Sequence, residues 1–495
     1  MPSPATATPG RGVYLETFGC QMNVLDTQLV RSQLQALGYR FIDDWTQADV
    51  VLYNTCSVRE HAESKVYSRV GQVGQLKKQR PDIILGVLGC MAERDGQDMV
   101  RRYPQIDLLV GPGELDKVPL LIDNIDKTNL KQRGGLRHAQ LALQGNTHRR
   151  SSTLTAAQDQ LELLDLSRSF SPDEHHGSAY VRITRGCNKF CTYCVVPNTR
   201  GAEVHRPPGN ILEECRKLVE AGVAEITLLG QTVNHYHFDQ GAAVTVDGVM
   251  QPQIGAPVGR DGPRIHGAGG GTTEASRVTT FAGLLALLHD ELPGLQRLRF
   301  VTNFPRDFGD DILEVMATRP RICKYIHLPV QSGSNTVLAR MNRGYTVEEY
   351  KTLLTAIRTK LPTAELCTDI ICGFPGETEE DHQATLELLR WARFKNAFIF
   401  KYSPRPGTSA FDRLPDDVPE TVKKRRNQEL LALQTQISRE VHEAYLGKTV
   451  EVFVEAVSDH AIKEHNAAAP GSEGTVTLGW EKPVELTQLS GTDRR

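Results

Sequence analysis

The chain has 495 residues, enough for two to four domains rather than one. Its 57 Lys and Arg nearly balance its 60 Asp and Glu, and the net charge of −3 argues against a protein that coats duplex nucleic acid nonspecifically. No apolar run reaches the roughly 20 residues that cross a bilayer, and the N-terminus lacks the apolar segment of a signal peptide. We therefore expect a cytoplasmic protein without a membrane segment, whose ten cysteines are metal ligands, redox groups or buried side chains rather than disulfides.

An α/β domain is predicted over residues 12–126, after a disordered lead-in at 1–11. Strand-like apolar runs alternate there with helical periodicity. Each of the first three runs leads to a cysteine, and these are Cys20, Cys56 and Cys90. Their spacings of 36 and 34 residues match about one βαβ unit, and the loops after parallel strands share one rim of the sheet. The pattern therefore predicts a Rossmann-like parallel-sheet domain in which the three thiols converge.

A second α/β series is predicted over 173–410, behind a polar linker at 127–172. Six βα units in a row predict a parallel sheet curled into a partial (β/α)6 barrel with its site at the carboxyl rim. The strand candidates are 179–184, 225–230, 297–302, 325–331, 365–374 and 397–403. A segment rich in Gly, Ala and Pro at 239–276 predicts a flexible insertion. A helical stalk at 411–446 and a small β module at 447–495 complete the chain.

The strongest chemical pattern comes after the first strand of this second series, in the stretch RGCNKFCTYCVVPNTRG. It places Cys187, Cys191 and Cys194 at Cys-x3-Cys-x2-Cys spacing. Thiolates so close on one loop can hold an iron–sulfur cluster. A zinc site is the alternative, and it needs a fourth ligand, for which His205 is the nearest downstream candidate. Three cysteines on a four-iron cluster leave one iron free to bind a small molecule.

This loop resembles the cluster-binding motif of the radical S-adenosylmethionine enzymes. The resemblance implies a [4Fe-4S] cluster on the three cysteines, with S-adenosylmethionine bound at the free iron and cleaved there to methionine and a 5′-deoxyadenosyl radical. It also implies that S-adenosylmethionine contacts residues of the loop and of the barrel rim, namely Tyr193, Gln331, Gly373 and Gly376.

From about residue 12 to 480 the chain is similar to the methylthiotransferase family of these enzymes. The motifs that carry the similarity are TFGCQMNVLDTQ, NTCSVREHAESK, GCMAER, YVRITRGCNKFCTYCVVPNTRG, EITLLGQTVNHY, HLPVQSGSNTVLARMNRGYT, TDIICGFPGETEED and YSPRPGT. The resemblance implies a radical-SAM barrel and a second [4Fe-4S] cluster, held by Cys20, Cys56 and Cys90, at which a sulfur is methylated and delivered. It also implies that 447–495 is a TRAM-like RNA-binding module, which we expect to be truncated or remodelled.

Within the family, SVRE after Cys56 and VVPNTRG after Cys194 point to the branch that methylthiolates C2 of N6-(dimethylallyl)adenosine beside the anticodon of tRNA. That base lies in a single-stranded loop and can splay out into a pocket. The implied partners are this tRNA and an electron donor such as flavodoxin or ferredoxin, and a monomer is expected. Two alternatives stay open: methylthiolation of threonylcarbamoyl-adenosine or of a ribosomal-protein aspartate, and a noncatalytic metal-binding protein that binds RNA.

Two polar runs stay without an assignment. The run HYH at 235–237 matches no metal-ligand spacing, and the run KKRR at 423–426 fits either contact with tRNA phosphates or a solvated helix face. The four remaining cysteines are predicted to be structural, and they are Cys215, Cys323, Cys367 and Cys372.

Overall fold

The computed structural model describes residues 10–57, 60–131, 139–144, 160–168, 177–255, 277–457 and 489–493. Nearly all of the predicted lead-in, and the strand candidate GTVTLGW in the C-terminal module, lie outside these ranges. Within them, no helix combines the length and the apolar character that a membrane span needs.

Six parallel strands form the N-terminal sheet, and helices cover both of its faces. Across the sheet the strands are Arg40–Phe41, Gly12–Phe18, Val50–Thr55, Ile84–Gly89, Leu108–Val110 and Gln140–Ala142. The helices are Gln21–Ala36, Glu60–Leu76, Cys90–Arg102 and Val118–Lys131. The predicted Rossmann-like arrangement is thus confirmed. Its first three long strands end level with one another, because Phe18 pairs with Thr55 and Thr55 pairs with Gly89.

The segment predicted as a linker contains two ordered elements in its described part. Gln140–Ala142 is the sixth strand of the N-terminal sheet, and Gln160–Ser167 is a helix that contacts the barrel helix Pro208–Glu220. The helix resembles a linker in sequence because its polar side chains have buried partners: Glu162 accepts a hydrogen bond of 2.8 Å from Arg206. Charged residues that form buried ion pairs cannot be distinguished in the sequence from charged residues on a solvated surface.

The central domain has six parallel strands in two sheets of three, which confirms the predicted barrel. The strands are Ser178–Arg182, Glu225–Leu229, Arg297–Phe300, Tyr325–His327, Glu365–Cys372 and Asn396–Lys401. A parallel bridge between Leu298 and Ile322 joins the third strand to the residues that lead into the fourth. The helices are Val196–Thr199, Pro208–Glu220, Phe281–Glu291, Asp310–Thr318, Asn335–Arg340, Val347–Lys360, Glu379–Ala392 and Ser409–Arg413.

The first part of the predicted insertion contains three short strands. Thr245–Val246 and Val249–Met250 form a hairpin, and Gln253–Ile254 pairs antiparallel with Val204–His205. This pairing places Gly255 beside the cysteine loop of the barrel, where its carbonyl oxygen accepts a hydrogen bond of 3.2 Å from Asn188. The remainder of the insertion, 256–276, lies outside the described residues.

The predicted stalk is part of the barrel wall. Helix Glu420–Glu443 packs against the last barrel strand and against helix Glu379–Ala392, with Leu430 and Ile437 in the main core. Beyond it, Val452–Val457 pairs antiparallel with Leu489–Asp493. These two strands are the described part of the C-terminal module.

Candidate functional site

The cysteine loop of the barrel turns sharply as it leaves the first strand. Gly186 has a φ of +70°, and a Cβ at this position would lie 2.0 Å from the carbonyl oxygen of Ala202, so the turn requires glycine. The loop then folds back on itself, because the Cys194 amide donates a hydrogen bond of 2.9 Å to the carbonyl oxygen of Cys191. Cys187 and Cys191 are buried and Cys194 is half-buried. The three predicted thiols therefore share one site at the carboxyl rim.

Two polar side chains contact this triad. The Oγ1 atom of Thr232 lies 3.4 Å from the Cys187 sulfur. Arg343 donates hydrogen bonds of 3.3 Å to the Cys191 sulfur and to the Tyr193 hydroxyl. Burial raises the pKa of Cys187 to about 12, so this thiol loses its proton at neutral pH only when a metal takes its place.

Arg343 is itself held rigidly below the loop. Its guanidinium lies 4.6 Å from the ring centre of Phe304 and donates to the carbonyl oxygen of Pro329, at 2.6 Å, and to the hydroxyl of Tyr345, at 3.0 Å. The charge is buried, with only 4% of the residue exposed. Sequence reasoning missed Arg343, although it lies in one of the motifs that carried the family resemblance.

Gln331, a predicted contact to S-adenosylmethionine, adopts an uncommon backbone conformation at the rim. Its φ is +77°, and the residue is buried. Two backbone hydrogen bonds of 2.9 Å fix the turn. The Gln331 amide donates to the carbonyl oxygen of Asp369, and the Gln331 carbonyl oxygen accepts from the amide of Ile371. A non-glycine residue at positive φ is strained, and such strain clusters at functional sites.

Gly373 and Gly376, the other predicted rim contacts, pack against side chains of the chain itself. Both have positive φ, and their amides donate to Glu377, at 2.6 Å, and to Asp417, at 2.7 Å. A Cβ at Gly373 would lie 2.4 Å from Lys423. The two glycines therefore allow the backbone of the rim to turn and to pack closely against neighbouring side chains.

The N-terminal triad gathers at the ends of three parallel strands. Cys20 caps the helix Gln21–Ala36, Cys56 comes directly after the strand Val50–Thr55, and Cys90 begins a helix. A hydrogen bond with the Cys56 thiol lowers the pKa of Cys20 to about 6, whereas burial raises the pKa of Cys90. A charge on Cys20 raises the pKa of Cys90 further, so all three thiols lie near one another, as the strand pattern predicted.

A pair of buried asparagines fixes the loops of this triad. Asn23 Oδ1 accepts hydrogen bonds from the Cys20 amide, at 3.2 Å, and from its thiol, at 3.3 Å. Asn23 Nδ2 donates to Asn54 Oδ1 at 3.1 Å, and Asn54 Nδ2 donates back to the Asn23 carbonyl at 2.8 Å. Gly89, just before Cys90, makes room for this pair, because a Cβ there would lie 2.4 Å from Asn54 Oδ1.

One side chain of the barrel reaches the N-terminal triad. Arg200, six residues after Cys194, donates a hydrogen bond of 2.7 Å to Asp26, and both side chains are buried. Burial alone would lower the pKa of Arg200, but Asp26, Cys90 and Cys20 raise it well above its usual value. The guanidinium therefore stays charged beside these thiols and ties the two triads to one segment of chain.

An aromatic and polar wall, consisting of Phe398, Phe400, His327 and Asp369, lies on one face of the second barrel sheet. Ile399 packs into the main core on the face that helix Glu420–Glu443 covers, so alternation turns Phe398 and Phe400 to the opposite, inner face. They are 46% and 42% exposed. The His327 ring lies edge-on to Phe398 and 2.9 Å from a carboxylate oxygen of Asp369. Sequence reasoning missed this wall.

The basic run at 423–426 is largely neutralised within the chain. Lys423 and Arg426 are buried, and Arg425 lies on the surface. Their acidic partners are Asp416 for Lys423, Glu377 for Arg426, and Glu379 and Glu429 for Arg425. Three of the four basic side chains of this run therefore have carboxylate partners within the chain.

Each triad fits a cluster better than a single ion. Among the described residues, the groups whose ligand atoms all lie within 4.8 Å of one another contain no cysteine. Thiolates that bind different irons lie farther apart than the ligands of one ion, and three cysteines leave one iron for another ligand. The zinc alternative is disfavoured because His205 does not join the cysteines in such a group. Arg343 and Arg200 place a buried cation beside each set of thiolates.

Two family models match the chain, one on each triad. The model described as Uncharacterized protein family UPF0004 matches residues 12–111, and the model described as Radical SAM superfamily matches residues 181–389.

Relatives that are similar over most of the chain share one name, tRNA-2-methylthio-N(6)-dimethylallyladenosine synthase. The protein from Rhodopirellula baltica is 42% identical over 451 residues, which cover 91% of this chain and 85% of that protein. The protein from Bacteroides fragilis is 38% identical over 495 residues, which cover 98% and 95%. Among solved structures, the radical S-adenosylmethionine methyltransferase TsrM from Kitasatospora setae has a TM-score of 0.53 at 14% identity, covers 81% of this chain and 74% of its own, and supports the fold alone.

Proposed function

This chain belongs to the tRNA-2-methylthio-N(6)-dimethylallyladenosine synthase family of radical S-adenosylmethionine enzymes, and we propose that its two cysteine triads hold the two [4Fe-4S] clusters of the reaction. The reaction is methylthiolation at C2 of N6-(dimethylallyl)adenosine beside the anticodon of tRNA. An aromatic C–H bond offers no acid–base handle, so radical chemistry suits this substrate. The relatives favour it over threonylcarbamoyl-adenosine and a ribosomal-protein aspartate, and the radical SAM match disfavours a noncatalytic protein.

The observation that carries the proposal is the arrangement of the two triads. The N-terminal triad consists of thiols that come after three parallel strands, and the barrel triad consists of three thiols on the loop after the first strand. Each triad has a buried arginine beside it. Arg200 belongs to the segment that comes after one triad and contacts the surroundings of the other. An enzyme that cleaves S-adenosylmethionine and delivers sulfur to the same base needs its two centres to face a common substrate.

When bound, the cluster at Cys187, Cys191 and Cys194 supplies the electron that cleaves S-adenosylmethionine, and the cluster at Cys20, Cys56 and Cys90 supplies the site for the transferred sulfur. The side chains of this chain prepare both sites. Arg343 and Thr232 orient the barrel thiols, and Arg200 and Asn23 orient those of the N-terminal domain.

We propose that Tyr193 and Gln331 contact S-adenosylmethionine. Tyr193 lies within the cysteine loop, and its hydroxyl is held by Arg343 at 3.3 Å. Gln331 keeps a strained turn at the rim. Gly373 and Gly376 belong to the same binding region, where we propose that they shape the rim, because their amides already donate to carboxylates.

Replacing Arg343 with methionine is expected to lower the iron content and to destabilise the barrel by about 2–3 kcal/mol. The change removes the hydrogen bond to Cys191 and the contact with Phe304, and it leaves the Pro329 carbonyl oxygen without this donor. Iron per chain after anaerobic reconstitution, together with urea unfolding, measures both effects. Arg343→Lys is the control, since lysine keeps the charge but not the planar fork, and it should restore little. Full iron content in Arg343→Met would contradict this role.

We propose that the aromatic wall receives the prenylated adenosine. Aromatic side chains stack on splayed-out bases, and each contact is worth about 1–3 kcal/mol. Phe398→Ala should therefore raise the KM for prenylated tRNA about tenfold or more, with the rate of S-adenosylmethionine cleavage in the absence of tRNA unchanged. Trp391→Ala is the matched control, because Trp391 is an aromatic side chain of similar exposure, at 40%. It lies outside the wall, on helix Glu379–Ala392 beside Lys351 and Arg358. Equal KM changes in both variants would remove the wall from the proposal.

The packing supports domain boundaries that differ from those predicted. We propose that the N-terminal domain covers 12–142, because its sheet includes Gln140–Ala142, and that the barrel covers 177–443, because helix Glu420–Glu443 packs on it. The C-terminal module, at 447–495, remains the proposed TRAM-like contact to tRNA.

We propose that the protein acts as a monomer in the cytoplasm, where its tRNA substrate is available. Reduction of the barrel cluster requires a donor of low potential, and a flavodoxin or a ferredoxin has the required chemistry. Sedimentation of the reconstituted protein tests the monomeric state. Turnover with each purified donor in place of dithionite tests the electron donor.

Anaerobic turnover of the reconstituted full-length protein tests the function. Incubation with S-adenosylmethionine, dithionite, a sulfide source and prenylated tRNA should produce 5′-deoxyadenosine and 2-methylthio-N6-(dimethylallyl)adenosine, measured by mass spectrometry of digested tRNA. If product formed only with threonylcarbamoylated tRNA or only with ribosomal protein, that molecule would be the substrate instead of prenylated tRNA. Absence of 5′-deoxyadenosine in all samples would contradict the enzymatic function itself.

A further inference from the structure

Glu203, His205 and His235 form a buried group behind the barrel triad. They offer ligand atoms that all lie within 4.8 Å of one another. His235 Nδ1 lies 2.9 Å from a carboxylate oxygen of Glu203, and the ring of His205 lies 6.1 Å from that of His235, centre to centre. The group consists of two imidazoles and one carboxylate, and its two histidines are 30 residues apart in the sequence.

Four polar atoms of these side chains are left without hydrogen bonds in the part of the chain that the structure describes. They are both ring nitrogens of His205, the second carboxylate oxygen of Glu203 and the Nε2 atom of His235, and all four are buried. A buried polar group without a partner costs free energy, and most such groups in proteins are paired. The Glu203–His235 hydrogen bond satisfies one polar atom of each of these two residues. It gives no partner to either ring nitrogen of His205.

We propose that Glu203, His205 and His235 bind a mononuclear divalent transition metal, with Zn²⁺ as the ion that suits them best. Two histidines and one carboxylate are a ligand set that zinc adopts, with a water as the fourth ligand. The ion turns unpaired nitrogens and oxygens into ligands and balances the buried negative charge of Glu203. His237 lies beside the group, with its ring 5.3 Å from that of His205, but it is not one of the three.

The position of this group gives the metal a structural role beside the cysteine loop. His205 lies on the strand Val204–His205, downstream of the cysteine loop, and His235 ends the short helix Val233–His235. Thr232, just before that helix, contacts the Cys187 sulfur, and the Glu203 amide donates to Asn188 of the loop at 3.1 Å. The metal would therefore fasten the two segments that carry these contacts.

Zinc in the holoenzyme, distinguished from iron by element, tests the site. Full-length protein with both clusters reconstituted is incubated with Zn²⁺, desalted, and analysed by inductively coupled plasma mass spectrometry and zinc-edge X-ray absorption. We expect about one zinc per chain, with a first shell of nitrogen and oxygen at about 2.0–2.1 Å that includes imidazole. A first shell of sulfur at about 2.3 Å would mean zinc in a cysteine site and would overturn the proposal, as would absence of zinc.

Variants assign the ligands. Glu203→Gln and His205→Ala should each lose most of the zinc, measured together with the iron content of the same sample. His382→Ala is the matched control, because Glu379, His382 and Glu429 form a second group of this size among the described residues, but Arg425 donates hydrogen bonds to both carboxylates there. Retention of zinc in His205→Ala, or its loss in His382→Ala, would overturn the assignment. If a variant misfolds, the absorption spectrum of the unaltered protein decides between the two shells by itself.

Discussion

Replacing Cys187 with alanine is expected to abolish both the cleavage of S-adenosylmethionine and the methylthiolation of tRNA. The remaining two barrel thiols cannot hold a four-iron cluster that also keeps an open iron, so the iron content should fall to about half of that in the unaltered protein. The N-terminal triad is built from a different sheet and should keep its share. Iron and sulfide analysis, and 5′-deoxyadenosine formation with dithionite, measure the result.

The opposite pattern is expected for Cys20→Ala. This variant should also lose about half of the iron, yet it should still form 5′-deoxyadenosine, because the barrel triad is intact. Methylthiolated tRNA should be absent. Cys215→Ala is the matched control, since Cys215 is a fully buried thiol in the barrel helix Pro208–Glu220 and belongs to neither triad, and its replacement should leave iron and both products near normal. If Cys20→Ala retained all its iron and methylthiolated tRNA, the N-terminal triad would not be a cluster site.

Arg200→Met is expected to destabilise the protein by about 3–5 kcal/mol and to lower the iron held by the N-terminal triad. Asp26 is fully buried, and removal of its partner at 2.7 Å leaves its charge with only the more distant Arg182, at 3.9 Å, as an ion-pair partner. The same change removes the positive charge next to Cys20 and Cys90, which iron must bind as thiolates. Urea unfolding of the cluster-free chain measures the first effect, and iron analysis after reconstitution measures the second.

A double variant separates these two effects. Arg200→Met with Asp26→Asn removes the buried charge pair together, so much of the stability should return, whereas the iron content should stay low. Arg297→Met is the matched control for stability. Arg297 and Glu225 form a buried ion pair at 2.6 Å within the barrel sheet, so this variant should lose stability while the N-terminal triad keeps its iron. Normal iron content in Arg200→Met would show that Arg200 acts only in packing.

The sequence located both triads because local patterns determine them. Three cysteines within eight residues must share a loop, and cysteines that end successive parallel strands must share a rim. The glycines before Cys187 and Cys90 are part of the same local geometry, because each precedes a thiol at a turn with positive φ. The parallel N-terminal sheet and the partial barrel were predictable from the alternation of apolar runs with helical stretches.

The groups that support the triads could not be predicted, because their partners are distant in sequence. Arg200 meets Asp26 across 174 positions, and Arg343 meets Cys191 across 152. No periodicity or spacing encodes such pairs. The helix Gln160–Ser167 was missed for the same reason, since its carboxylates become core residues only where arginines from the barrel meet them.

The six residues that come after Cys194, up to Arg200, connect the barrel triad to the N-terminal domain through a segment of fixed length. They include the short helix Val196–Thr199, and they end on the buried pair with Asp26. One residue added to a helix rotates all later residues of that helix by about 100°, so a single insertion here would turn Arg200 away from the N-terminal domain. The length of this stretch therefore determines where Arg200 lies relative to the barrel thiols. We therefore expect a chimera of two relatives to be functional only when its N-terminal domain and its residues 194–200 come from the same parent.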